Sequence, residues 1–172
     1  MSDVLEFGIK RENEERRDGG CAVVFDPASQ KYAVGKQENG WLRLFSGGIN
    51  NGEDIKDGTL RELLEESGLH DYLYIEKVAE ALAHYHNGLK NIDRVAHATC
   101  FLVILKSTDL KSTQLEEHEK FVLEWTETKE LLNNWESRNQ EKNYDHWIYF
   151  FKKAVNRAIE LGYDKTSAII KE

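Results

Sequence analysis

A chain of 172 residues with 40% hydrophobic and 31% charged residues has enough apolar material for one full core. It is too apolar for a disordered polymer. Its formal net charge of −8 argues against a basic surface for duplex nucleic acid, and no apolar run approaches the roughly 18 residues that cross a membrane.

The opening stretch MSDVLEFGIK lacks the apolar core of a secretory leader, so a cytoplasmic protein is expected. Residues 9–18, IKRENEERRD, are a charge run that reads as a solvated helix or arm. We set residues 1–18 apart as an N-terminal arm of a single domain spanning 1–172. Residues 21–26 (CAVVFD), 31–36 (KYAVGK) and 41–46 (WLRLFS) are predicted as strands, separated by turns at PASQ and QENG. Cys21 and Cys100 lie in apolar runs and are expected to be buried free thiols.

The glycine-rich GGINNGED, 47–54, is predicted as a loop. A helix follows from Asp54 to Ser67, stopped by Gly68. Residues 72–86 read as one or two strands, NGLKNID as a turn and 94–106 as a long buried strand. After a loop over 107–120 come a short strand, FVLEWTE, and helices over 128–136 and 144–163. Residues 136–172 form a C-terminal helical extension. Strands mixed with a few helices, without regular βαβ alternation, predict an α+β fold with helices packed on a mixed sheet.

The chemistry concentrates in one segment. Glu62, Glu65 and Glu66 share a face of the predicted helix, because residues three and four apart are neighbours there. Carboxylates so placed repel one another unless a cation offsets them. Three oxygen donors beside a glycine loop with free carbonyls suit a hard divalent cation such as Mg²⁺ or Mn²⁺. The competing reading is an acidic helix with a solvated face.

The spacing itself is informative. Gly47 is followed by Glu53 and then by Arg61-Glu62-Leu63-Leu64-Glu65-Glu66-Ser67-Gly68-Leu69. This segment resembles the Nudix box. A chance match at its fixed positions is on the order of 10⁻⁷ over this chain, so acidic composition does not account for it. The resemblance in order of elements covers roughly residues 19–135. It implies an α/β/α sandwich and a metal-dependent hydrolase of diphosphate linkages in nucleotides, with Mg²⁺ or Mn²⁺ as cofactor. By position it implies Glu65 and Glu66 as metal ligands, with Glu62 beside them and a carbonyl near Gly47. It makes Arg61 and Glu53 the pair that holds loop and helix in register. It places a further ligand or general base in the acidic segment downstream, where Glu117 and Glu119 both fit. Asn50 and Asn51 stand where many members carry an acidic residue. The resemblance also admits a module that binds a nucleotide without hydrolysis.

Substrate contacts are read from single residues. Tyr85 stands at the distance past the box where a tyrosine marks dinucleoside polyphosphate hydrolases, although a strand tyrosine packed on the sheet has the same appearance. Trp41 suits stacking on a base or packing at a sheet edge. Lys90 and Arg94 follow the Asn-Gly turn, within reach of a distal phosphate. His84 and His86 share the strand face opposite Tyr85. The leading substrates are dinucleoside polyphosphates and nucleoside triphosphates. The expected partner is a small-molecule nucleotide, and a homodimer is compatible with the chain.

Overall fold

The computed structural model describes residues 4–139 and 144–171. Its elements are β1 (Leu5–Gly8), β2 (Glu15–Asp26), β3 (Lys31–Gln37), β4 (Leu42–Arg43), β5 (Phe45–Gly48), α1 (Ile55–Ser67), β6 (Tyr72–Asn87), β7 (Ile92–Leu105), β8 (Phe121–Thr126), α2 (Thr128–Glu136) and α3 (Asp145–Glu160). The strands run β1-β6-β7-β2-β3-β4 across the sheet, with β5 added to β2 and β8 to β3. The β1–β6 and β2–β7 pairs are parallel and the other pairs antiparallel, which gives the mixed sheet that was expected.

Alternation along β2 divides the core. Ala22 and Val24 face Leu63 and Leu69, on the side covered by α1. Cys21, Val23 and Phe25 face Trp135, Phe150 and Phe151, on the side covered by α2 and α3. The result is a sheet between two helical layers. Trp135 is fully buried, and its Nε1 donates to the Leu42 carbonyl at 2.8 Å. On α3, Arg157 reaches Glu76 of β6 at 2.6 and 3.0 Å. Cys21 and Cys100 are free, buried and opposite each other in the β2–β7 register.

Helix α1 has the limits its sequence predicts. The Asp54 side chain accepts from the Asp57 N–H at 3.1 Å, satisfying a first-turn donor. Gly68 ends the helix at φ 81°, where its N–H bonds the Leu64 carbonyl. A side chain there would be strained and would meet the Lys111 carbonyl.

Three segments differ from their predicted form. The charge run is not a free arm, because Glu15–Asp18 opens β2 and pairs with Arg94–His97 of β7. Upstream of it, Leu5–Gly8 pairs with Ala81–His84. The run 41–46 is divided, with Leu42–Arg43 on β3 and Phe45–Gly48 on β2. Gly47 and Gly48 thus belong to a strand, opposite Gly20 and Gly19, and the loop begins after them. Residues 72–86, by contrast, are a strand as predicted, a single one with two register shifts.

Leu63 is 0% exposed in the core between α1 and the sheet, and it seats the helix that carries the carboxylates. Leu63→Ala removes most of that side chain and should lower stability by about 2–5 kcal/mol, read as a lower urea midpoint at an unchanged slope.

Candidate active site

The site begins at Arg61. Its guanidinium reaches the two Glu53 oxygens at 2.9 and 3.0 Å, the Gly48 carbonyl at 3.2 Å, Glu62 at 3.0 Å and Glu65 at 3.3 Å. One rigid fork therefore ties the end of β5, the loop after it and two carboxylates of α1. Glu53 also accepts from the Asn50 N–H at 3.0 Å. Hydrogen bonds from Arg61, then from the Asn50 backbone, hold the Glu53 carboxyl down at about 2, and the pairing raises Arg61.

Glu62 lies across the strand it faces. A β-carbon at Gly47 would overlap the Glu62 carboxylate, so a side chain there would push that carboxylate out of its present place. Burial raises the Glu62 carboxyl in spite of Arg61, and the charges of Glu65 and Glu119 act in the same direction.

Glu66 is 3% exposed. Its oxygens accept from the Ser46 N–H at 3.2 Å and from Arg43 at 3.4 Å. Burial pushes its carboxyl up to about 9, opposed by Arg43 and reinforced by Glu119 and Glu62. This is a buried carboxylate facing two others, with one arginine at salt-bridge distance.

The loop between β7 and β8 supplies Glu119. Its Lys111 N–H bonds the Gly68 carbonyl at 2.8 Å and its Gln114 N–H bonds the Glu65 carbonyl at 2.7 Å. These bonds lay the loop along the last turn of α1. The Glu119 N–H then bonds the Glu116 carbonyl, and the Glu119 carboxylate accepts from the Glu116 N–H, both at 2.9 Å. Glu119 is brought within hydrogen-bonding reach of Glu66, whereas Glu117 is exposed and outside the cavity lining. Sequence spacing left Glu117 and Glu119 equivalent; the loop geometry separates them.

A cavity of about 840 Å³ runs from these carboxylates across the sheet. Gly47, Glu62, Glu65, Glu119, Tyr85, Lys90 and Arg94 all line it. Arg61, Glu53 and Glu66 stand behind that lining. Trp41 does not line it; the indole packs edge-on against Tyr144 at 5.0 Å, with its Nε1 buried and, among the described residues, without a partner.

Several lining residues carried no signal in the sequence. The floor is built of small residues, Gly19, Ala83, Ala96 and Ala98, with Phe7 at one side. Tyr144, His146, Trp147 and Phe150, at the start of α3, form a wall. The predicted C-terminal extension is thus part of the cavity. Arg43, near the carboxylates, lies 4.5 Å over the Phe121 ring, and its place inside WLRLF is a weak pattern signal at best. Among the described residues no group of three or more His, Cys, Asp or Glu converges on one point as drawn. Arg61 spans Glu62 and Glu65, and Arg43 is paired with Glu66. The donor set is nevertheless all oxygen and short of positive charge at Glu66, which fits a hard divalent cation once Glu62 and Glu65 turn off Arg61.

Glu53→Gln tests the Arg61 tie. A carboxyl held below its unfolded value stabilises the fold above the unfolded pKa and loses that contribution as pH falls through the folded one. The variant should therefore melt below the parent at pH 7. The gap should narrow as pH falls from about 4.5 toward 2, read by thermal denaturation across pH.

The NUDIX domain family profile matches residues 15–149. Among solved structures, the NUDIX domain of Shewanella oneidensis NrtR, in complex with ADP ribose, is similar at a TM-score of 0.53 and 18% identity. That match covers 70% of this chain and 78% of that one. A C. elegans Ap4A hydrolase, solved as a binary complex, is similar at a TM-score of 0.57 and 13% identity, over 84% of this chain and 98% of that one. No curated protein matches the sequence. These structural likenesses show a shared fold, and the profile carries the assignment: the chain belongs to the Nudix family, whose members hydrolyse diphosphate-linked nucleotides.

Proposed function

We propose that this protein hydrolyses a diphosphate linkage in a nucleoside polyphosphate, with Mg²⁺ or Mn²⁺ bound at Glu62, Glu65 and Glu66. The observation that carries the reading is the grouping of Glu62, Glu65 and Glu119 at one end of the cavity, with Glu66 buried behind them. A bound divalent cation would neutralise the phosphoryl oxygens and acidify a coordinated water. The chain's own part is positional. Arg61 and Glu53 hold the strand end against α1, so the carboxylates face the scissile group from one side. Glu119 is the carboxylate we assign to accept the proton of the attacking water, because its loop presents it to the cavity beside Glu66. Phe7, Tyr85 and Trp147 offer rings for a base resting on the alanine floor. The leading substrates on this reading are dinucleoside polyphosphates and nucleoside triphosphates, supported by the rings and cations that line the cavity. One structural neighbour holds ADP ribose and another is an Ap4A hydrolase, and both compounds are of this chemical kind.

Two measurements test this. Glu66→Gln keeps the shape of a side chain that burial already holds toward its neutral form and removes the oxygen acid that a cation would bind as its anion. In EDTA it should melt at or slightly above the parent. Mg²⁺ should raise the melting temperature of the parent alone, and turnover of the variant should fall by about two orders of magnitude or more. A protein that binds nucleotide without hydrolysis would show ligand-dependent melting shifts and no turnover to lose.

The second measurement concerns the bond. Water attack on phosphorus should place one ¹⁸O from solvent in a phosphate-containing product, detected by mass spectrometry. Label absent from every phosphate would rule the chemistry out.

A further inference from the structure

The charged residues lining the cavity are sorted by position. Glu62 and Glu65 come from α1, Glu116 and Glu119 from the loop beside it, and Asp18 flanks Gly19. One lining cation, Arg43, is paired with Glu66 at that end; Arg17 lies between, over Gly48, and the far end carries Arg11, Lys90 and Arg94. In a chain of net charge −8 this separation does not follow from composition. Acidic residues are present nearby but outside the lining. Glu14 lies 2.9 Å from His84 Nδ1, Asp93 is 2.9 Å from His86 and 3.7 Å from Arg11, and Glu15 is 3.3 Å from Arg94.

Two of the cations are placed by strand register. Arg94 pairs with Glu15 and Ala96 with Arg17, so both arginines project from one face of adjacent strands as diagonal neighbours, their Cα atoms roughly 8 Å apart. The Arg17 guanidinium lies where a β-carbon on Gly48 would sit. Arg94 is 5% exposed, and among the described residues its side chain bonds only the Glu15 side chain, which is largely in solvent. Its Nε is buried and has no hydrogen-bond partner among the described residues. A buried charged donor without an acceptor is destabilising, and an incoming anion relieves it.

We propose that this end of the cavity binds a second phosphoryl group of the substrate, held by Arg94 and Arg17 and separate from the diphosphate at the carboxylates. The proposal rests on the hydrolase reading above and narrows its substrate class. Gly48 pairs with Gly19, and Gly19 with Ala98. Arg94 lies four positions back from Ala98 along β7, about 13 Å, and Arg17 stands between the two ends. A phosphoryl group reaches that place as a further member of a linear polyphosphate or as a monoester on the ribose.

Orthophosphate binding in EDTA tests the site without catalysis. Against chloride of equal ionic strength, phosphate should raise the melting temperature of the parent and of Lys129→Gln, which removes an exposed charge on α2. It should not raise that of Arg94→Gln or Arg17→Gln. No shift in the parent, or an equal shift in both arginine variants, overturns the proposal. Should Arg94→Gln fail to fold, Arg17→Gln carries the comparison.

Kinetics with Mg²⁺ then separate the sources. KM for each substrate is divided by KM for ADP-ribose, whose phosphates form one diphosphate. In the arginine variants that ratio should rise about ten-fold or more. A rise for a dinucleoside tetraphosphate assigns the linear chain. A rise for a nucleoside 3′-phosphate 5′-diphosphate assigns the ribose monoester. Equal KM increases for all three compounds overturn the proposal. If the parent turns over none of them, the hydrolase reading fails, and the phosphate titration still decides the anion site.

Discussion

The site depends on the five donors of Arg61. A guanidinium is planar and permanently charged, and its fork has fixed directions. Here those directions are occupied by Glu53, the Gly48 carbonyl, Glu62 and Glu65. The end of β5, the following loop and the acidic face of α1 are consequently located relative to one atom group. Without it, three carboxylates on successive turns would repel one another and the loop would have no fixed end.

That tie explains why the neighbouring residues are so small. Helix and strand must approach until the Glu62 carboxylate rests where a side chain on Gly47 would be. Closeness raises electrostatic stress, and the stress appears at Glu66, whose burial works against ionisation while Glu119 and Glu62 oppose it further. Arg43 offsets part of this. On the proposed hydrolase reading, a divalent ion bound at these carboxylates would relieve that stress, and the tension in the chain alone would then be one aspect of its affinity for the cation.

What was legible in the sequence was local. The limits of α1 follow from Asp54 and Gly68, which act within a turn of themselves. The helix repeat put the three glutamates on one face, the resemblance to the Nudix box added Gly47, Glu53 and Arg61, and the mixed sheet under helices followed from periodicity. What was not legible depends on partners distant in the chain. The run 9–18 is charged because both its faces meet solvent or the cavity, yet Glu15–Asp18 are strand residues whose parallel partner begins at Arg94. Nothing within ten residues of Arg17 announces that it will lie over Gly48. The same holds for α3: its apolar spacing marks a buried face, while the placing of Trp147 and His146 on the cavity depends on how the helix crosses the sheet. Glu119 was separated from Glu117 by two backbone hydrogen bonds that no side-chain pattern encodes.

Those two bonds have a consequence for how the chain could vary. The Lys111 and Gln114 N–H groups meet carbonyls three residues apart on α1, so the loop and the last helical turn advance in step, in opposite directions. The stretch from Lys111 to Glu119 is in effect a ruler. One residue inserted or deleted inside it would displace Glu119 by about the 3.8 Å between successive Cα atoms, while length changes at Ser107–Asp109 would be absorbed in solvent before the first anchor. Homologous chains that keep this chemistry should tolerate insertions on one side of Lys111 and not on the other.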